Sequence, residues 1–320
     1  MITDSRDDRE VVQHLIAGEL SQPVLEEAQL AAQDIVFGHG KTVAAVLFYG
    51  SCLQQQSVED KVLDFYVLVD SCAEANGSKW MGFWNEAIPP NVFYRELEVS
   101  GTTIRSKYAI MSVASFEEVM RPDHLNSSFW ARFAQPCALA YCRDDETTKR
   151  VIGAVSQAII TFARAVMPTF TMHVTSERMW SRGFEMTYNA ELRAEDAKSR
   201  GRQIYQQSPK RYDALMLPAL MAAGMNPIPG DSGRLMPISS PSRRRASKFV
   251  WWLRRVNGKT LSLLRLVKGA FTFTGAIDYL AWKISRHSGV TMEIKDWQRR
   301  HPLIGGLSLF LKTRVKGGFR

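Results

Sequence analysis

Residues 45 to 70, AVLFYGSCLQQQSVEDKVLDFYVLVD, constrain the fold more than any other stretch of the chain. Val43 to Tyr49 is rich in β-branched and aromatic residues and reads as a strand that stops at Gly50-Ser51. Twelve residues separate Ser51 from Asp64, which opens a second such run, Phe65 to Val69. A small Gly-Ser turn at a strand end lets backbone N–H groups come close to a phosphate. A carboxylate at the start of the neighbouring strand can hold a Mg²⁺ ion over that phosphate.

The chain of 320 residues has room for two domains and a sizeable core. Hydrophobic residues at 45% and charged residues at 23% are ordinary for a globular protein. The net charge of +9 conceals an asymmetry. Residues 1–240 carry 23 Lys+Arg against 29 Asp+Glu, whereas residues 241–320 carry 18 against 3, a net +15. Such a segment seeks phosphate, on nucleic acid or on an anionic bilayer. Cys52, Cys72, Cys137 and Cys142 lack zinc-ligand spacing and read as free thiols packed like small apolar side chains. The first residues are acidic, without a charged-then-apolar leader, and no apolar run approaches the ~20 residues of a membrane span. The expectation is a cytoplasmic protein whose membrane contact, if any, is peripheral.

Apolar periodicity predicts helix over 9–36, broken near Pro23. Strands are expected at Val92 to Val99 and Ile104 to Met111, with a helix from Trp80 to Ala87 before Pro89-Pro90. Glu146 to Met167 reads as a long helix, and helical sequence continues to about Ala223. Gly224 to Ser247, with four prolines and then Arg243-Arg244-Arg245, reads as a linker or extended arm. The fold class is α+β: a mixed sheet flanked by helices, then a mainly helical domain and a basic C-terminal tail. The expected boundaries are 1–145, 146–235 and 236–320.

The strand–Gly-Ser–strand layout is that of a nucleotidyltransferase site. Attack on the α-phosphorus of a nucleoside triphosphate is limited by charge build-up and positioning. It needs backbone donors, supplied by Gly50 and Ser51, a metal carboxylate, Asp64, and cations for the leaving group. Lys107, Arg105 and Arg132 are the candidates for those cations. The superfamily pattern ends in Asp-x-Asp, but Tyr66 stands at the second acidic position. Asp70 lies about 20 Å further along the strand, too far to share a metal. Glu96 and Glu98, on one face of the next strand, are the candidates for a second ligand.

The chain also resembles the mitochondrial-type phosphatidate cytidylyltransferases, the translocator assembly and maintenance family, over roughly residues 40 to 287. FYGSCLQQ…VLDFYVLVD is similar to that family's Y-G-S-G-V-x-x-Q…L-D-F-x-F-x-V-D, including the missing second Asp. IRSKYAIMS resembles its I-K-Y-G-V-I-S, matching at Lys107 and Tyr108. SFWARFAQP matches its Y-x-A-G-R-x-x-K-P at Arg132 and Pro136, with Gln135 in place of the Lys. MTYNAELR resembles S-Y-x-G-D-x-R at Tyr188, Glu191 and Arg193, and KGAFTFTGAIDYLAWKISR resembles the terminal segment. The resemblance implies CTP and phosphatidic acid as substrates, CDP-diacylglycerol and pyrophosphate as products, and Mg²⁺ as cofactor. It implies a winged-helix-like second domain and a membrane-associating C-terminal segment. It assigns Asp64, Lys107 and Arg132 to catalysis, and Gly50, Ser51, Tyr108, Tyr188 and Arg193 to binding. Metal ligation falls to Asp64 and Glu191, with Glu98 added from its place on the neighbouring strand.

In the tail, Phe249 to Leu253, with Trp251 and Trp252, lies between two arginine clusters, and Ile277, Leu280, Ala281 and Ile284 form a helical stripe. That pattern suits an anionic membrane surface bound through residues 249–287, on the inner face of a membrane (the matrix side in a mitochondrion), with no nucleic acid expected. Removing residues 249–320 is expected to weaken liposome binding more than CTP binding. Two alternatives stand beside this reading: a nucleotidyltransferase acting on RNA, protein or a small molecule, and a non-catalytic basic binding protein on the same fold.

Overall fold

Strand-forming runs and capped helices produce the sheet that the sequence predicts. The computed structural model describes residues 5–55, 61–75, 77–99, 101–193 and 195–272, with residues 294, 297 and 298. Helices α1 (Ser5–Leu20) and α2 (Glu26–His39) precede strand β1 (Val43–Tyr49). A short helix α3 (Ser51–Gln55) follows, then β2 (Val62–Val69) and helices α4 (Cys72–Ala75) and α5 (Lys79–Ala87). Strands β3 (Asn91–Val99) and β4 (Thr102–Ser112) form a hairpin, followed by α6 (Val113–Val119), α7 (Ser127–Phe133) and β5 (Cys137–Cys142). Pro23 falls in the gap between α1 and α2, since its ring cannot continue a helix.

The five strands form one mixed sheet in the order β3-β4-β2-β1-β5. The β2–β4 pair is parallel and the other three are antiparallel. Alternation of side chains gives the sheet two different faces. Phe48, Phe65, Val67, Tyr108 and Ile110 pack on one side with Ala28, Ala32 and Ile35 of α2. Leu47, Tyr49, Tyr66, Leu68 and Met111 pack on the other with α1 and with α7. All four cysteines are free, and three of them are buried.

Helix α8 (Asp145–Val166) starts on an Asp144 cap that accepts from the Thr147 amide. Helices α9 (Ser176–Asn189), α10 (Ala197–Gln207) and α11 (Pro209–Ala222) follow it. Phe162, Trp180, Phe184 and Tyr212 form an aromatic cluster among these helices, with the Trp180 indole N–H donating to the Tyr212 carbonyl at 3.0 Å. One apolar cluster runs from the sheet face through α8 to α11, across the boundary expected at residue 145. By length and composition Asp145–Thr169 could cross a membrane, contrary to the expectation from the sequence, but 72% of its apolar window is buried inside the protein.

The stretch read as an extended arm is more ordered than its prolines suggest. Strands β6 (Ile228–Pro229) and β7 (Leu235–Met236) form a small hairpin, bridged at Leu235 to Val174. Helix α12 (Pro241–Thr272) then begins, with Pro241 tolerated at its start because the first-turn N–H groups have no helical partner. Arg243 to Arg245 therefore lie in its first two turns rather than in a linker. The Ile277–Ile284 stripe lies outside the described residues.

Candidate active site

Antiparallel pairing places the C-terminal end of β1 beside the N-terminal end of β2, with Tyr49 opposite Asp64. The chain must turn sharply between them, and Gly50 does so at φ 91°, in the left-handed region. A Cβ on Gly50 would stand 3.2 Å from Asp64 Oδ2, so a side chain there would crowd that carboxylate as well as strain the backbone. Parallel pairing of β2 with β4 sets Lys107 opposite Asp64, and Lys107 Nζ lies 3.4 Å from Asp64 Oδ1.

Helix α7 supplies a second wall. Asn126 caps it, accepting from the Ser128 amide at 3.1 Å. Ser128, Ala131 and Arg132 fall on one helical face and line the cleft. Arg132 stacks 5.0 Å above the Tyr49 ring. Burial opposes the Arg132 charge, but Tyr49, Tyr66, Glu191 and Asp64 outweigh it, and the net effect raises the pKa. The third wall is the C-terminal end of α9 and the loop after it. Tyr188 is buried there, Arg193 stacks 4.4 Å above its ring, and Glu191 accepts from Arg193 at 2.9 Å. The cleft between these walls has a volume of about 180 Å³.

Gly50, Ser51, Asp64, Arg132, Tyr188, Glu191 and Arg193 thus meet in one cleft, with Lys107 paired to its carboxylate. Two expected site residues do not. Tyr108 follows Lys107 on β4 and so points to the opposite face of the sheet. There it stacks on Phe93 and shares a 3.0 Å hydrogen bond with His39 Nε2. Glu98 pairs in register with Thr103, four positions beyond the Tyr94–Lys107 pair. That is about 13 Å along the strand and two strands away from Asp64, so Glu98 bonds Thr103 instead. Glu96 and Arg105 are occupied with one another at 3.2 Å. Asp70 ends β2 at the far end of the sheet, paired with Arg143.

Arg200, Glu195 and Gln54, which no sequence motif marks, also line the cleft. Arg200 Nε donates to the Tyr188 hydroxyl at 3.3 Å. The charged run RAEDAKSRGR reads as a solvated helix start, which hides an inward-facing arginine. Helix α12 backs the cleft from behind. Gly258 passes the Ala190 carbonyl so closely that a Cβ would sit 2.3 Å from that oxygen. Ser262 Oγ lies 3.4 Å from the Leu192 amide, and Arg265 reaches Ser128 Oγ at 3.3 Å. The basic tail therefore begins as a brace behind the loop that carries Glu191 and Arg193. It is not a detachable appendage. Trp251, expected at a bilayer, is buried and donates its N–H to the Ala165 carbonyl at 3.0 Å.

Mg²⁺ is usually held by one or two carboxylates together with substrate phosphates and water. Asp64 and Glu191, two hard oxygen donors in one cleft, fit that pattern. No group of three His, Cys, Asp or Glu side chains gathers as a metal site among the described residues. The remaining ligands would be phosphate oxygens and water.

The chain matches no family model and no curated protein. Among solved structures, a nucleotidyltransferase-like protein from Exiguobacterium sibiricum is similar to it at 8% identity. The match covers 89% of this chain and 91% of that one at a TM-score of 0.27, too loose a superposition to speak to chemistry.

Proposed function

We propose that the cleft is the active site of a nucleotidyltransferase. In particular, the reading is a phosphatidate cytidylyltransferase that makes CDP-diacylglycerol and pyrophosphate from CTP and phosphatidic acid. One observation carries the general reading: Asp64 and Glu191, far apart in the chain, line one cleft with the Gly50-Ser51 turn, Arg132 and Arg193. The particular substrates rest on the ordered motif resemblance across residues 40 to 287.

In the reaction, a phosphate oxygen of phosphatidic acid bonds to the α-phosphorus of CTP, and the bond from that phosphorus to the β-phosphate oxygen breaks. A phosphomonoester, with a second pKa of ~6, is largely dianionic at neutral pH. The nucleophile therefore needs no general base, in keeping with the carboxylate–guanidinium character of the cleft. Backbone N–H groups at Gly50-Ser51 hold triphosphate oxygens, while Arg132 and Arg193 meet the charge that develops on pyrophosphate. Lys107 keeps the Asp64 carboxylate oriented and relieves its repulsion with the phosphates. Asp64 and Glu191 would hold Mg²⁺, which supplies charge neutralisation on the phosphoryl oxygens.

The acceptor lipid calls for a membrane surface. On α12, Phe249, Trp252, Val256 and Leu263 are exposed on one stripe, flanked by Lys248, Arg255 and Lys259. An apolar stripe edged by cations suits peripheral binding to anionic lipid, and the reading puts the protein on the inner face of a membrane. The missing second Asp favours one rival, a binding protein without turnover: Tyr66 is buried against Tyr49 and Phe133 and cannot be a ligand.

The deciding experiment is an assay of the full chain with Mg²⁺, labelled CTP and phosphatidic acid in mixed micelles. Formation of CDP-diacylglycerol by the wild type and not by Asp64→Ala is expected. Turnover with another acceptor would keep only the general reading, and CTP binding without turnover on any acceptor would favour the rival.

A further inference from the structure

We propose that a cavity between α8 and the N-terminal half of α12 is a phosphate-binding site separate from the nucleotide cleft. The cavity has a volume of about 290 Å³ and is lined by Arg164, Arg243 and Arg254, with the hydroxyl-bearing Thr161 and Ser247. Its other lining residues are all apolar, and none is acidic. Three cations and no carboxylate around one small cavity make a strong positive potential.

Arg254 shows that the arrangement is built into the fold. It is only 5% exposed. Its guanidinium lies 5.3 Å from the Trp130 ring centre and 5.1 Å from that of Trp251, which fixes its position. Its Nε is buried without a hydrogen-bond partner. Burial pulls its pKa down to about 10, with no neighbouring charge to offset the loss of water. Arg164, Arg243 and Arg254 form no ion pair among the described residues. Removing a guanidinium from water without an acceptor is unfavourable, and such a group is normally paired. A phosphate group supplies both missing elements, negative charge and several acceptor oxygens matched to the planar fork of arginine. Arg164 and Arg243 are exposed and stand at the rim, where they can draw the anion in. The phosphate comes from solution or from a lipid headgroup, since Phe249 and Trp252 are exposed on the same helix.

The test uses the full chain carrying Arg193→Gln, so that phosphate binding in the nucleotide cleft is weakened. Thermal unfolding is followed with inorganic phosphate against chloride at matched ionic strength. Co-sedimentation is followed with phosphatidylcholine vesicles, with and without phosphatidylglycerol. Free phosphate is expected to raise the melting temperature saturably by roughly 2 °C. Arg164→Gln should weaken that effect about fivefold, and Arg254→Met should abolish it. Arg254→Met removes an unpaired buried charge and should fold at least as stably without phosphate. Were it to misfold, the exposed Arg164→Gln still carries the test. A response to phosphatidylglycerol alone, lost in Arg164→Gln, assigns the phosphate to lipid and supports the site. A response to neither source, or one indifferent to Arg164, overturns it.

Discussion

Lys107 Nζ lies 3.4 Å from Asp64 Oδ1, across the parallel β2–β4 pair of the main sheet. The parallel register fixes this relationship, because residues directly opposite on adjacent strands share a face. Both side chains are about one-third exposed, so the pair serves the cleft more than the fold. Exposed ion pairs contribute only ~0–1 kcal/mol. Asp64→Asn should therefore leave stability within about 1 kcal/mol of the wild type. Turnover should fall by roughly 10²- to 10³-fold, as for other losses of aligned charge at a reacting phosphate. Paired denaturation and rate measurements check both halves.

Gly50 should resist replacement. Its φ of 91° disfavours any side chain, and the new Cβ would press on Asp64 Oδ2. Gly50→Ala is expected to cost roughly 1–2 kcal/mol of stability. It should also lower turnover more than that loss implies, because it displaces the carboxylate. An alanine variant with wild-type kinetics would remove the turn from the site.

Gly258 lies on α12, away from any proposed substrate contact, yet it is packed against the Ala190 carbonyl. Gly258→Val should push α12 off the Glu191–Arg193 loop, costing about 1–3 kcal/mol. CTP affinity should drop with it, as measured by calorimetry. Deleting residues 249–320 should do the same, so a tail truncation is not a clean test of membrane binding.

Membrane binding is better tested on the exposed stripe. Phe249→Ser with Trp252→Ser removes two large apolar side chains that are 58% and 53% exposed. Co-sedimentation with anionic vesicles should fall several-fold while the melting temperature stays unchanged. A drop in both would mean that these residues pack in the fold.

Lys268 gives a pH signature. It is buried, and its ammonium donates to the Pro90 carbonyl at 2.9 Å and to that of Ile88. Burial, with Arg265 nearby, lowers its pKa from 10.5 to about 8. Between those values the unfolded chain holds the proton and the folded chain releases it, so stability should rise with pH. The unfavourable contribution is complete below pH 8 and fades as pH approaches 10.5. Denaturant titrations across that window should show the slope in the wild type and a shallower one in Lys268→Met.

Much of the sheet was legible because its signals are local. Runs rich in Val, Leu, Ile, Phe and Tyr mark β1 to β4 to within two residues, and Gly50 followed by Asp64 marks the cleft end of the sheet. The misplaced residues fail for a shared reason. Tyr108 is next to Lys107, but strand geometry turns neighbours to opposite faces, and its ring stacks on Phe93. Glu98 has the right residue type on a neighbouring strand, but register sets it beside Thr103. The prolines of residues 224–247 suggested an arm because they interrupt both helical and strand periodicity. A short hairpin and a helix start accommodate them.

Local sequence is enough to place strands β1 to β4, the turn at Gly50, the carboxylate of Asp64 and the basic character of the last quarter. These depend on neighbours within a few positions, where backbone preference and side-chain periodicity act. That Glu191 and Arg193 line the same cleft as Asp64, while Glu98 lies along the sheet beside Thr103, follows from packing between distant segments. Tertiary structure alone turned the start of the basic tail into a brace, with Gly258 against Ala190 and Trp251 in the core. Those outcomes depend on which apolar faces meet across long stretches of chain, and on close contacts that no local pattern encodes.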